Sequence, residues 1–469
     1  MHPQTQNRVV FIAMIPTDDR QQPQKGLFEL YLEDMINLRH PLVRMAERID
    51  WQQCEEQFGP YWCPDNGRPG HPIRLHVGLQ MLKHMQGLSD RELLDQWVEN
   101  PYWQHFCGES VFRHEPPMDE STMGRFRRRI GEDGARALLK MTVDLGEGTG
   151  TVAPESFRVA VADTTVMPKA IEHPSEARLM VRAHRRLVAQ AKADGVKFRQ
   201  TYERSLDGLV MQIGRYAHAR QFRRMHKRLR KLHGYLGRVC NDVRRQQPHG
   251  QRSQGLDEAL YQALYLWRQY AEPQHRPKLY SLHEPEVACI AKGKARTPYE
   301  FGSKVSVITT AKEGFVLDCQ ALRGNPYDGH TLHGGLMRVH RHCGQLPVNT
   351  LVDRGYRASE STPLTNVHIT GKKKGNGTAH ARYQHRRNSV EPIIGHMKHE
   401  GLLDRCHLRG REGDRVHAVL CAVGFNLRKI LRRLARLFGL QFVRDLLAKI
   451  HQSGTGVPGS IPQLTPEAA

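Results

Sequence analysis

Long apolar runs are missing from this 469-residue chain. No stretch of about 18 consecutive apolar residues occurs, which leaves no segment to form a membrane-spanning helix. The leading segment MHPQTQNRVVFIAMIPTDDRQQPQKG has neither a basic n-region nor a small-residue cleavage site, so no signal peptide is expected. Aromatic residues are lean at 7%, although apolar residues at 39% still suffice for a sizeable core. The nine cysteines are odd in number and never spaced as C-x-x-C. A disulfide framework or zinc module is therefore not expected, and reduced cytoplasmic thiols fit better. His283-Glu284-Pro285-Glu286-Val287 begins like the zinc motif H-E-x-x-H but lacks its second His. Two further motifs are absent, the G-x-x-x-x-G-K-[ST] phosphate loop and the G-x-S-x-G elbow. Neither a nucleotide cofactor nor a serine hydrolase is expected.

Acidic charge is the remaining shortage. Lys and Arg total 70 against 48 Asp and Glu, a formal net charge of +22. An excess this large favours a polyanionic partner whose affinity falls with salt, and nucleic acid is the natural one. A merely basic soluble protein is the bland alternative.

The chain length allows two or three domains at roughly 100–200 residues each. Residues 1–26 are polar and expected to be flexible. From Leu27 to about Arg48 the apolar spacing is helical, and a second helix is expected over 72–86. Ser89-Asp90-Arg91-Glu92 reads as a capping box opening a third helix to about Val98. A short basic helix is expected from Ser121, carrying Arg125 and Arg128. Residues 27–145 thus resemble a helical DNA-binding domain of helix-turn-helix type, with a packing domain bearing a solvated basic face as the alternative.

Residues 146–156 read as a linker. A β-rich run, Phe157 to Val166, then places Asp163 near its end. A long basic helical insertion follows at about 175–275, in which Phe222, Met225, Leu229, Leu232 and Leu236 repeat at helical spacing. DNA contact and a solvated arm both suit its basic face. Strand signals return at Tyr299–Thr310 and Phe315–Leu322, which read as a hairpin about a Glu313-Gly314 turn. A helix is expected over 329–342, a short strand ending at Asp353, another at Val367–Gly371, a helix from about Asn388 to Glu400, and one or two helices over 413–450. The expected class is α+β: a catalytic domain over 157–435, then a C-terminal helix and disordered tail over 436–469.

Asp163 and Asp353 each close an apolar strand, and Glu391 lies in a short helix. An Asp at a strand end is commonly a turn former. If the strands are neighbours and the helix crosses them, however, three carboxylates converge. Mg²⁺ or Mn²⁺ suits such oxygen ligands, and two ions could support in-line phosphoryl transfer. Arg387, Glu391 and Lys398 follow at intervals of four and seven, on one helical stripe. Arg387 and Lys398 could form surface ion pairs or hold DNA phosphates. Pro392 places Glu391 at the helix start. Arg354 after the second Asp could position DNA, and Lys292 and Lys294 could touch phosphate or simply be exposed.

Several segments together resemble the DDE transposases of bacterial insertion sequences, specifically the insertion sequence five group. Ala162-Asp163-Thr164-Thr165 is similar to its first-Asp motif and Val352-Asp353-Arg354-Gly355-Tyr356 to its second. Asn325-Pro326-Tyr327-Asp328-Gly329-His330-Thr331-Leu332 is also family-like. Arg387 to Lys398 satisfies the last three members of the signature Y-x₂-R-x₃-E-x₆-K, while Gln384 stands at the Tyr position with Tyr383 beside it. The resemblance covers most of residues 27–435. It implies a ribonuclease H-like sheet flanked by helices, with a long insertion after the first Asp. It also implies binding to the terminal inverted repeats of an insertion sequence, metal-dependent cleavage and strand transfer into target DNA. Such an enzyme acts as a homodimer on paired double-stranded DNA ends, in the cytoplasm and associated with the nucleoid. A metal-dependent nuclease on the same fold and an inactive transposase-derived DNA-binding protein are the alternatives.

Overall fold

The computed structural model describes residues 29–62, 70–291, 298–361, 363–370 and 386–454. The N-terminal residues 1–26, Lys292, Lys294, the basic loop at 372–377, Tyr383, Gln384 and the tail beyond 454 lie outside them.

The first third is helical: α1 (Leu32–Met35), α2 (Pro41–Ala46), α3 (Trp51–Phe58), α4 (Ile73–Gln86), α5 (Asp90–Glu99), α6 (Pro101–Phe106) and α7 (Glu120–Gly148). The single helix expected from Leu27 to Arg48 is instead two short ones. Pro41 cannot continue a helix from the preceding turn and sits at the first position of α2, capped by His40. The capping box of α5 forms as read, with Glu92 N donating to Ser89 Oγ and Ser89 N to Glu92. The basic helix from Ser121 is not short. It opens one residue earlier, capped by Asp119, and continues for 29 residues through a kink at Gly131, taking in the first residues expected as linker.

The sheet comprises β1 (Val159–Pro168), β2 (Ala288–Ala291), β3 (Tyr299–Thr310), β4 (Val316–Ala321), β5 (Asn349–Val352) and β6 (Asn366–Ile369). Its order is β2-β3-β1-β5-β6, with β4 also paired to β3. β1 runs antiparallel to β3 and parallel to β5, and β5 runs parallel to β6. The expected hairpin is β3–β4. Between β1 and β2 the insertion supplies α8 (Glu176–Ala193), α9 (Glu203–His218), α10 (Phe222–Gln246) and α11 (Gln254–Ala271). After β4 come α12 (Asp328–Cys343), α13 (Val390–His399) and α14 (Gly410–Gly454). The fold is therefore α+β, a mixed open sheet flanked by helices, as a ribonuclease H-like sheet requires.

One core runs from Leu42 in α2 to Leu434 in α14, so the N-terminal helices and the sheet share an interior. The long helix α14 crosses residue 435 without a break and packs on α4, α7 and β4. Asn426, on α14, is fully buried: it donates to Val316 O and accepts from Val316 N, satisfying β4 as a neighbouring strand would. The insertion has its own core, built from residues such as Leu187, Leu232, Leu236, Val243 and Ala263. Within α10 the apolar repeat is buried from Leu229 onward, but Phe222 is exposed because it opens the helix ahead of that core.

Candidate active site

Parallel pairing of β1 and β5 explains why two distant aspartates meet. Val161 lies opposite Leu351. Asp163 and Asp353 each follow that pair by two residues, and side chains two apart share a face of a sheet. Neighbouring strands lie about 4.8 Å apart, so the carboxylates stand side by side. Asp163 does not end its strand, as expected from sequence, but sits near its middle, opposite Val307 of β3. It is β5 that stops at Val352, leaving the carboxylates at the open end of the parallel pair.

The third acid arrives on the same face. Val159, Val161 and Leu351 pack against Val390 and Ile394 of α13. Glu391 is the second residue of that helix, so it projects at the carboxylate end of the strands. Arg387, in the short helical stretch at 386–388 that precedes α13, touches all three acids. Its Nη2 lies 3.3 Å from Asp163 Oδ2 and 3.8 Å from Asp353 Oδ2, and its Nη1 lies 3.0 Å from Glu391 Oε1. The guanidinium is mostly buried, whereas Glu391 is two-thirds exposed.

Burial pushes the Asp163 carboxyl up to about 6, against the pull of Arg387 and the Thr164 backbone N–H, with Asp353 and Asp328 pushing it further. Tyr356 is buried directly beneath, and burial together with Asp163, Asp328 and Asp353 raises its phenol. Asp353 Oδ1 accepts from Gly355 N at 2.9 Å, fixing the turn after β5.

Asp328 joins the site although no role was assigned to it from sequence. It is the first residue of α12, accepts from Thr164 Oγ1 at 2.8 Å and forms an ion pair with Lys304 Nζ at 2.5 Å. Thr164 points to the face opposite Asp163, so Asp328 approaches from the other side of the sheet. The only sequence signal was the Asn325–Leu332 motif itself. Lys304 carried none, because its partner lies on another element.

Arg354 is exposed in the turn after Asp353. Lys398 is half-buried on α13. Arg125 and Arg128 are exposed on α7, far along the chain in the N-terminal helices, while Arg127 between them is buried and paired with Asp90. The basic run is thus divided between a buried ion pair at Arg127 and a solvent face that carries Arg125 and Arg128.

Two family models match the chain: "Transposase domain (DUF772)" over residues 30–129 and "Transposase DDE domain" over residues 359–431. The second match spans Arg387, Glu391 and Lys398. The chain belongs to the DDE transposases of insertion sequences. That membership makes it a transposition enzyme and implies DNA as its substrate. It is also 47% identical over 204 residues to "Uncharacterized protein ORF8 in nfe locus" of Rhizobium meliloti, covering 43% of this chain and 98% of that relative. No solved structure matches. Among the described residues, no helix is long and apolar enough to cross a membrane.

The chemistry of the donor set suits a hard divalent cation. Asp163, Asp353 and Glu391 offer only oxygen, and all three already gather around one cationic group. Among the described residues, no three acidic, His or Cys side chains close on one point as they stand. The guanidinium of Arg387 lies between them.

Proposed function

We propose that this transposase, of the insertion sequence five group, binds the terminal inverted repeats of its own element, cuts the DNA ends and joins them to target DNA. Asp163, Asp353 and Glu391 are the catalytic carboxylates and would hold Mg²⁺ or Mn²⁺, two ions being the expected number, once Arg387 gives up its central position. The observation that carries this reading is the contact of one guanidinium with all three acids. Bound metal would supply Lewis-acid stabilisation of the attacking and leaving oxygens in phosphodiester exchange. The chain's own task is to orient. The β1–β5 register sets the two aspartates, and α13 brings Glu391 over them. Arg387, released from the acids, can hold a DNA phosphate, a geometry to which its planar fork is suited.

DNA is engaged by several surfaces in this reading. Arg354 next to Asp353 and Lys398 on α13 contribute, as do the exposed Arg125 and Arg128 of α7, and Lys292 and Lys294, which precede β3 in sequence. The basic face of α10 adds a further stripe, where Arg223, Arg224, Lys227 and Arg228 are exposed or half-buried. Two copies of the chain would pair the two ends of the element. A metal-dependent nuclease would share the site but not the joining step. Binding of a labelled terminal-repeat duplex, followed by Mg²⁺-dependent cutting, tests the proposal. Asp163→Ala, Asp353→Ala and Glu391→Ala are each expected to retain binding and lose cutting. Full cutting by any one of them would remove that residue from the catalytic set.

A further inference from the structure

Asp328 is held, like the three acids, by protein partners, but its cation is Lys304 and not Arg387. Its Oδ1 receives both the Thr164 hydroxyl, at 2.8 Å, and the Lys304 ammonium, at 2.5 Å. Lys304 is itself fixed by donating to Pro326 O at 2.8 Å. The other oxygen of Asp328 abuts the turn that follows Asp353. A methyl group on Gly355 would lie 2.9 Å from Asp328 Oδ2 and 3.0 Å from Asp353 Oδ1. One side chain therefore spans from the residue after Asp163 to the residue two beyond Asp353.

We propose that Asp328 is a positioning residue that sets the separation of Asp163 and Asp353, acting as a strut between Thr164 and the Gly355 turn. This rests on the reading of Asp163 and Asp353 as metal-holding acids. The strut works from the opposite face of the sheet, through α12, so it constrains the two strand positions without entering the space between the acids. Lys304 balances its charge, which lets a fourth carboxylate sit here without adding an unpaired negative charge to the site. Glycine at 355 follows from the same crowding, because any Cβ there would part the two carboxylates.

The test is Mn²⁺ binding to the full chain, followed by the loss of the free-ion paramagnetic resonance signal, with supercoiled-plasmid nicking recorded against Mn²⁺ concentration. Loss of a group that orients a metal ligand typically weakens metal affinity by about 10- to 100-fold. Asp328→Asn, with unchanged far-ultraviolet circular dichroism, is expected to bind Mn²⁺ at least about tenfold more weakly. Its nicking should be regained at high Mn²⁺, whereas that of Asp353→Ala should not. Thr164→Val removes one end of the strut without altering charge and is expected to move the titration in the same direction. It decides the matter if Asp328→Asn does not fold. A wild-type Mn²⁺ titration for folded Asp328→Asn, or for Thr164→Val in its place, overturns the strut alone, provided that Asp353→Ala has lost binding. Wild-type binding by Asp353→Ala overturns the metal-site reading and the strut with it.

Discussion

Asp163 is costly to ionise, and the cost has a sign. Its ordinary value is about 4, but burial raises it to about 6 in the folded chain. Between these values the folded state holds a proton that the unfolded state has released. Stability contributed by this group is therefore present at low pH and lost as pH rises through about 6. Metal-free Asp163→Asn should melt a few degrees above wild type at pH 8 and level with it at pH 4. Equal melting at both pH values would contradict the burial cost. A second residue-scale expectation concerns Lys398. If it holds a phosphate, Lys398→Ala should lower the salt slope of DNA binding by about one unit, and an unchanged slope would count against that contact. The three acids could be picked out from sequence because each stands beside an apolar run. Asp163 was placed at a strand end, though, since the apolar residues thin after it. β1 in fact continues through Thr164–Pro168 because β3 pairs along its whole length. Asp328 was opaque for a different reason: its partners Thr164 and Lys304 are distant in sequence and adjacent only in the sheet.

At the scale of elements, α14 holds the N-terminal helices to the sheet, and at Gly424 it comes close to α4. A Cβ at this position would lie 2.1 Å from His84 O of α4. Neither backbone can yield without moving its helix, so Gly424→Ala should cost about 3 kcal/mol, the upper end of ordinary overpacking. Urea unfolding checks this, and a wild-type midpoint would mean that α4 and α14 do not meet so closely. The same joint explains a limit on sequence reading. Helical periodicity located α4 and most of α14, and the capping box located α5. It could not reveal that α4 is buried on nearly every side, or that helices before and after the sheet form one core. The break of the first expected helix at Pro41 was visible in principle, because proline disfavours helix in the residue before it. The split of the Arg-rich run was not visible, since only the fold brings Asp90 to Arg127.

For the whole molecule, buried histidines govern the response to acid. Burial, the leading cause at each position, pushes His76 down to about 3 and both His184 and His417 to about 4, and it lowers His84 as well. A depressed histidine contributes stability that is present above its unfolded value of about 6.5 and lost as pH falls towards the folded value. Four such groups, spread over both cores, outnumber the carboxyls that burial raises, Asp163, Glu286 and Glu147. The melting temperature should therefore fall steeply between about pH 6.5 and pH 4. A flat profile over that window would mean that these rings already bear their protons when folded. The net charge of +22 acts in the same direction, since further protonation adds repulsion to a chain already rich in cations.

The most direct measurement is cleavage and joining on a labelled duplex carrying the element's terminal repeats, with Mg²⁺ or with EDTA, for wild type and Asp353→Ala. Nicking at the repeat ends and a joined product, both requiring Mg²⁺ and both lost in Asp353→Ala, is the predicted result. Nicking without joining would make the protein a nuclease, and binding without nicking would contradict a working site at Asp163, Asp353 and Glu391.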